Sequence, residues 1–208
     1  MIYNREGREG QTEEGGTYDG WIYLTDRDGL VEIVSPDTVG SLTLGSGDTS
    51  VTAPGDLDGD LTANDDQDKA IASYNNAITR INNYCKEVMG TENVRSVGGT
   101  NNSASAYHST NYDSWGADIA VDVPAGDNQY ELDFVKLSYF GKVATTDPYW
   151  LASRIVNEGE SVVDFFVGIV YGGALYYRDL WDVYSDGDVY SNDPSSGVRP
   201  VVINPSVI

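Results

Sequence analysis

Cysteine and histidine are almost absent from this 208-residue chain, where Cys85 and His108 each stand alone. A single thiol rules out an intrachain disulfide, so any core forms without covalent staples. Nucleophilic catalysis by a Cys–His pair would need these two residues together. His108 sits in a polar segment, and nothing in the sequence brings it to Cys85, which is expected to be a buried small hydrophobe. Positive charge is scarce as well. Twelve basic residues face 33 acidic ones, a formal charge of −21, and such a field repels phosphates and anionic lipid headgroups. Nucleic acid is therefore excluded as a main partner. No run of about 18 apolar residues occurs, so no membrane insertion is expected. Met1-Ile2-Tyr3-Asn4-Arg5-Glu6 lacks the apolar centre of a signal peptide. Walker loops, dinucleotide-binding glycine fingerprints and zinc spacings are missing too.

What the chain has in quantity is tyrosine: 15, against four phenylalanines. Tyrosine buries area while keeping a polar tip, which suits sheet surfaces and binding faces. Apolar residues at 40% allow one core of ordinary size. Residues 1–17 are polar and Gly/Glu-rich and read as an arm, followed by a single domain over 18–208. Trp21–Leu24 and Leu30–Val34 alternate as strands around an Asp26–Gly29 turn, which predicts a hairpin. Ile71, Tyr74, Ile78, Ile81, Cys85 and Val88 recur at helical spacing, which predicts a helix over 68–89. Asp66 or Asp68 is its expected cap, Gly90 its stop, and its Asn-rich face is expected to meet water. Residues 91–128 read as loop with a short strand at Ile119–Val123. Over 129–141 a helix and a strand remain equally open. Tyr149–Val156, Ser161–Tyr171, Ala174–Val183 and Val198–Ile203 read as strands, the second of them central and buried on both faces. Asp164 inside it needs a partner if buried. Pro200 argues for an edge or a bulge, and Asp186-Gly187 for a tight hairpin turn.

Two stretches carry candidate chemistry. Between Tyr171 and Asn192, aromatic residues interleave with Gly, Ser and Asp, the mixture that binding loops favour. Tyr176, Tyr177, Trp181, Tyr184 and Tyr190 are the candidate ligand-binding residues. The competing explanation is an ordinary Tyr-rich sheet, because aromatics favour strands in any case. Asp56, Asp58 and Asp60 alternate around Gly59 as calcium loops do, with oxygen donors two residues apart. Gln67 stands where an EF-hand-like loop would place its last carboxylate, so a solvated acidic loop competes with the metal reading. No cofactor is expected, with calcium at these three aspartates as the one candidate. Paired acids such as Glu13-Glu14 and Asp118/Asp122 fix no carboxylate separation, so glycosidase chemistry has no motif behind it.

Ser73-Tyr74-Asn75-Asn76-Ala77-Ile78, Val94-Arg95-Ser96-Val97-Gly98, Tyr149-Trp150-Leu151-Ala152-Ser153-Arg154 and Val198-Arg199-Pro200-Val201-Val202 occur in that order. Together they resemble a domain of gut bacteria and their prophages that ends in a YWLASR…VRPVV pattern, over roughly residues 18–208. The C-terminal layout also resembles the C-type-lectin fold of formylglycine-generating enzymes and phage variable receptor-binding proteins. That resemblance implies an aromatic display region framed by strands, with Arg154 and Arg199 as scaffold. It carries no oxidase activity here, because those enzymes rely on C-terminal cysteines and none follows Cys85. Nor does it carry animal-lectin calcium binding, because the Glu-Pro-Asn and Trp-Asn-Asp motifs are missing. The expectation is an α+β, C-type-lectin-like domain with one long helix on a twisted antiparallel sheet and long loops. It would act as a non-enzymatic binding or display module on a cell or virion surface, contacting a glycan or a protein. Alternatives are a phage capsid-decoration or fibre protein acting in assembly, alone or as a homo-oligomer, and, further off, a carbohydrate-active enzyme.

Overall fold

The computed structural model describes residues 17–18, 20–27, 30–45, 64–98, 106–108, 129–158, 163–183, 189–192 and 194–203. Residues 1–16, Ile119–Val123, the Asp56–Asp60 loop and the Asp186-Gly187 turn lie outside them. The architecture is mixed α+β. Among the described residues it has two main sheets, a short two-stranded ribbon and two helices.

The first sheet runs β1 (Thr17–Tyr18), β2 (Trp21–Arg27), β3 (Leu30–Val34), β13 (Pro200–Ile203), β5 (Val94–Ser96). Its β2–β3 pair is the predicted hairpin, with a register shift between Tyr23 and Thr25. The second sheet runs β4 (Val39–Thr43), β12 (Ser195–Val198), β7 (Tyr149–Glu158), β8 (Val163–Tyr171), β9 (Ala174–Arg178), and β6 (Ala106–His108) also pairs with β7. It is mixed rather than wholly antiparallel, because β12 and β6 both run parallel to β7. The predicted strand over Ala174–Val183 is two elements. After β9 the chain leaves the sheet, and β10 (Trp181–Val183) pairs with β11 (Val189–Ser191) instead of β8.

The terminal strand also divides. Val198 pairs with Trp150 in the second sheet, whereas Pro200 pairs with Ser96 in the first. The chain therefore changes sheets at Arg199. Pro200 is neither on an edge nor in a bulge, since β13 lies between β3 and β5. It is tolerated as the first residue of its strand, where its missing N–H breaks least of the ladder.

Helix α1 spans Asn64–Met89, four residues earlier than its periodicity suggested, so Asp66 and Asp68 lie in its first turns rather than at a cap. Tyr74, Ile78, Ile81 and Cys85 are buried as the spacing requires, whereas Val88 is exposed. One member of the Asn-rich face departs from expectation: Asn82 is buried, and its Oδ1 accepts from the Ser96 amide at 2.9 Å. The side chain terminates β5 instead of meeting water. The segment left open between helix and strand is helix α2, Gln129–Tyr139.

Two hydrophobic clusters flank the second sheet. Trp150, Ala152, Val167 and Ile169 face α1 and join Tyr74, Ile78, Ile81 and Cys85. Tyr149, Leu151 and Val170 point the other way and join Val34 and Val201 of the first sheet and Leu137 of α2. Alternation along β7 thus feeds two cores at once, which explains why both of its faces are apolar.

Candidate functional site

A groove of about 870 Å³ opens where β9 ends the second sheet, bordered by Pro148, Ile169, Tyr171, Tyr176, Tyr177, Arg178, Asp179, Asn192, Pro194 and Ser195. Its floor is set by the β8–β9 hairpin. Gly172 and Gly173 form the two-residue turn with φ of 57° and 84°. Positive φ at both positions is what a type I′ turn demands, and its twist matches that of the flanking strands. The turn fixes the pairing Tyr171↔Ala174 and Ile169↔Tyr176. Tyr171 and Tyr176 are therefore diagonal neighbours on one face, over the partly open edge of the α1-side core. Tyr177 points to the opposite face, where its ring lies 6.1 Å from that of Phe166, and it also borders the groove. Tyr171, Tyr176 and Tyr177 are 62%, 50% and 46% exposed.

The opposite wall is anchored to the core. Trp181 meets Tyr74 of α1 edge-on, with centroids 5.4 Å apart and planes at 88°. The Asn192 amide donates to the Leu180 carbonyl at 3.0 Å, and the Leu44 amide to the Pro194 carbonyl at 2.9 Å. Ser195 and Ser41 share a hydroxyl contact of 3.0 Å. These bonds hold Asp179, Asn192, Pro194 and Ser195 in place relative to the hairpin.

Of the sequence-nominated residues, Tyr176 and Tyr177 both border the groove, with their side chains on opposite faces of β9. Trp181 does not join them: it is 5% exposed. Its ring packs inward because β10 leaves the β9 edge and turns its apolar side to α1, so it positions the groove wall from behind. Tyr190 has its backbone in β11, paired with Asp182, while its side chain, all of Tyr184, and Asp56, Asp58 and Asp60 lie outside the described residues. Sequence reasoning did not nominate Tyr171, Arg178, Asp179 or Asn192. Tyr171 had a signal, the Gly172-Gly173 dipeptide after it, which marks a two-residue hairpin that would set it beside Tyr176. Arg178 and Asp179 directly follow Tyr177 in the chain, whereas Asn192 becomes a neighbour only through the tertiary path.

Two buried arginines set the frame. Arg199 is fully buried; its Nε donates to the Ser35 carbonyl at 2.9 Å and its Nη1 to the Val143 carbonyl at 3.1 Å and the Tyr149 hydroxyl at 3.4 Å. The guanidinium also sits 5.4 Å from the Tyr149 ring centroid. Nη2 has no partner among the described residues. At the residue where the chain switches sheets, one side chain thus ties both sheets and the segment before Pro148 together. Asp37 adds a surface clasp to the same segment: its carboxylate accepts from the Thr146 hydroxyl at 2.6 Å and the Thr146 amide at 2.8 Å. Those bonds, followed by the Thr38 amide, hold the carboxyl below its ordinary value. Arg199 is therefore held in the interior as a structural group, whereas the Arg154 side chain lies outside the described residues.

Arg95 is the second. It contacts Asp133 of α2 through Nη1 and Nη2, and Glu32 of β3 through Nη2 at 3.1 Å. Burial alone would lower this guanidinium, but Asp133 and Glu32 outweigh it and raise it above its ordinary value. Asp133 Oδ2 also accepts from the Gly98 amide at 3.2 Å. Gly98 has φ of 88°, and a Cβ there would lie 2.5 Å from Leu151 Cδ1, so only glycine lets the backbone reach Asp133 past Leu151.

Comparison with protein-family models, with curated proteins and with solved structures finds no match.

Proposed function

We propose that this chain is a non-enzymatic recognition module of a cell or particle surface, built on a C-type-lectin-like frame, and that it holds a glycan or protein ligand in the β8–β9 groove. The observation that carries the reading is the exposure of Tyr171 and Tyr176 on one sheet face, beside a groove whose two sides are both tied to buried structure. Exposed tyrosines on a rigid support give contact area at little entropic cost. A volume of about 870 Å³ falls in the roughly 300–1,000 Å³ range of ligand clefts. Asp179 is the one carboxylate among the described residues bordering the groove. The frame-and-display layout of the resemblance also agrees with this geometry, with β7 and β12 beside the groove and Arg199 locked behind it.

The test is saturable retention of the labelled protein on intact bacterial cell envelopes. The Tyr171→Ala/Tyr176→Ala double variant should lose at least about tenfold in apparent affinity, the cost of removing aromatic anchors, with an unchanged unfolding midpoint. Equal retention of parent and variant would move the contact surface elsewhere. No saturable retention, with the chain found instead in defined oligomers, would favour an assembly role.

A further inference from the structure

The lining of the groove points to a particular ligand chemistry. Its charged members among the described residues, Arg178 and Asp179, are adjacent and opposite in sign, so they favour neither cations nor anions. The chain as a whole carries −21, which adds a long-range penalty against any polyanion. Apolar contact comes from flat phenol faces and two prolines, while Ile169 is 8% exposed and offers almost no aliphatic surface. A protein ligand anchors by filling closed apolar pockets with a few side chains, and this open groove presents plates instead. Hydrogen-bonding residues line the same groove: Arg178, Asp179, Asn192 and Ser195. Planar groups of this kind make paired donor and acceptor contacts at fixed spacing.

Resting on the binding reading above, we infer that the groove takes a neutral, hydroxyl-rich saccharide chain, without calcium. The C–H face of a pyranose ring stacks on Tyr171 and Tyr176, which lie diagonally on one sheet face. Its equatorial hydroxyls meet the polar rim. Because β9 is the last strand of its sheet among the described residues, the groove lies at a sheet margin, and a polymer can run past the tyrosines.

The test titrates the full chain, in chelator, with neutral hexasaccharides of glucose, mannose, xylose and N-acetylglucosamine, followed by calorimetry. A parallel arm selects peptides from a random displayed library. At least one hexasaccharide should bind, with affinity unchanged between about 0.05 and 0.5 M salt because no charge is paired. Tyr171→Ala and Tyr176→Ala should each weaken it about tenfold or more, whereas Tyr176→Phe should keep most of it, since the ring face remains. Saccharide binding that survives both alanine variants overturns the site and the binding reading together. Peptides that bind and are lost in Tyr176→Ala, with no saccharide binding, overturn the saccharide inference but leave the groove as the binding site. Silence in both arms overturns both.

Discussion

Replacing Asp133 with alanine removes the acceptor that joins α2 to Arg95 and to the Gly98 amide. All the partners are buried: Asp133 is 1% exposed and Arg95 3%. Breaking a buried ion pair from one side costs about 3–5 kcal/mol, because the remaining charge stays desolvated. Glu32 moderates this, since it still accepts from Arg95. The Gly98 amide counts the other way, as an unsatisfied buried donor costs about 1–3 kcal/mol. Asp133→Ala should therefore lower stability by about 3–5 kcal/mol, a large share of the roughly 5–15 kcal/mol of an ordinary domain. Arg95→Met should cost a similar amount, because it strands two carboxylates. The triple variant Arg95→Met/Glu32→Leu/Asp133→Leu should cost far less than the separate changes added together, since no buried charge is left behind. Guanidinium unfolding followed by fluorescence of buried Trp150 measures all three. A loss below about 1 kcal/mol for Asp133→Ala, or additive losses in the triple variant, would refute the network as the connection between α2 and the first sheet.

Cys85 supplies an alkaline signature. Burial, opposed by the charge of Arg95, pushes its thiol up to about 12 from an unfolded value of 9.0. The folded state thus favours the neutral thiol, and this contribution is complete below about pH 9 and lost as pH rises toward 12, at up to ~1.4 kcal/mol per pH unit. The stability difference between parent and Cys85→Ala should shrink from about pH 8 to pH 11, and parallel pH–stability curves would contradict this. The two buried tryptophans among the described residues should also respond differently to phenylalanine. Trp150 Nε1 donates to the Leu42 carbonyl at 3.0 Å, so Trp150→Phe leaves a buried acceptor unpaired on top of the lost volume, about 3 kcal/mol in all. Trp181 Nε1 has no partner among the described residues. Trp181→Phe removes an unsatisfied donor and should cost clearly less, and thermal unfolding of both variants would expose the reverse order.

Much of this was legible from local pattern. The β2–β3 hairpin followed from alternation around Asp26–Gly29, and the helix from six residues at helical spacing. Burial of Cys85 came from the same period. The nomination of Tyr176 and Tyr177 rested on composition, and both reach the groove. Other features were hidden for identifiable reasons. Trp181 belongs to the same Tyr/Trp-rich stretch, but its exposure depends on the chain leaving the sheet after Arg178. Asn82 flanks the apolar stripe on a helical wheel, one turn after Ile78, but its polar amide reads as a solvent residue until Ser96 needs an acceptor. Val198–Ile203 reads as one strand, because extended backbone continues through Arg199 while its hydrogen-bond partners change from β7 to β5.

By itself the sequence determined periodicity, turn chemistry, the excess of acid and the crowding of tyrosine near the C-terminus, since each depends on residues close together in the chain. Which tyrosines face outward, where Arg199 finds its carbonyls, and the meeting of Pro148, Tyr171, Tyr176 and Asn192 around one groove depend on strand order. Strand order follows from packing two cores on opposite faces of one sheet, and only the tertiary structure decided it.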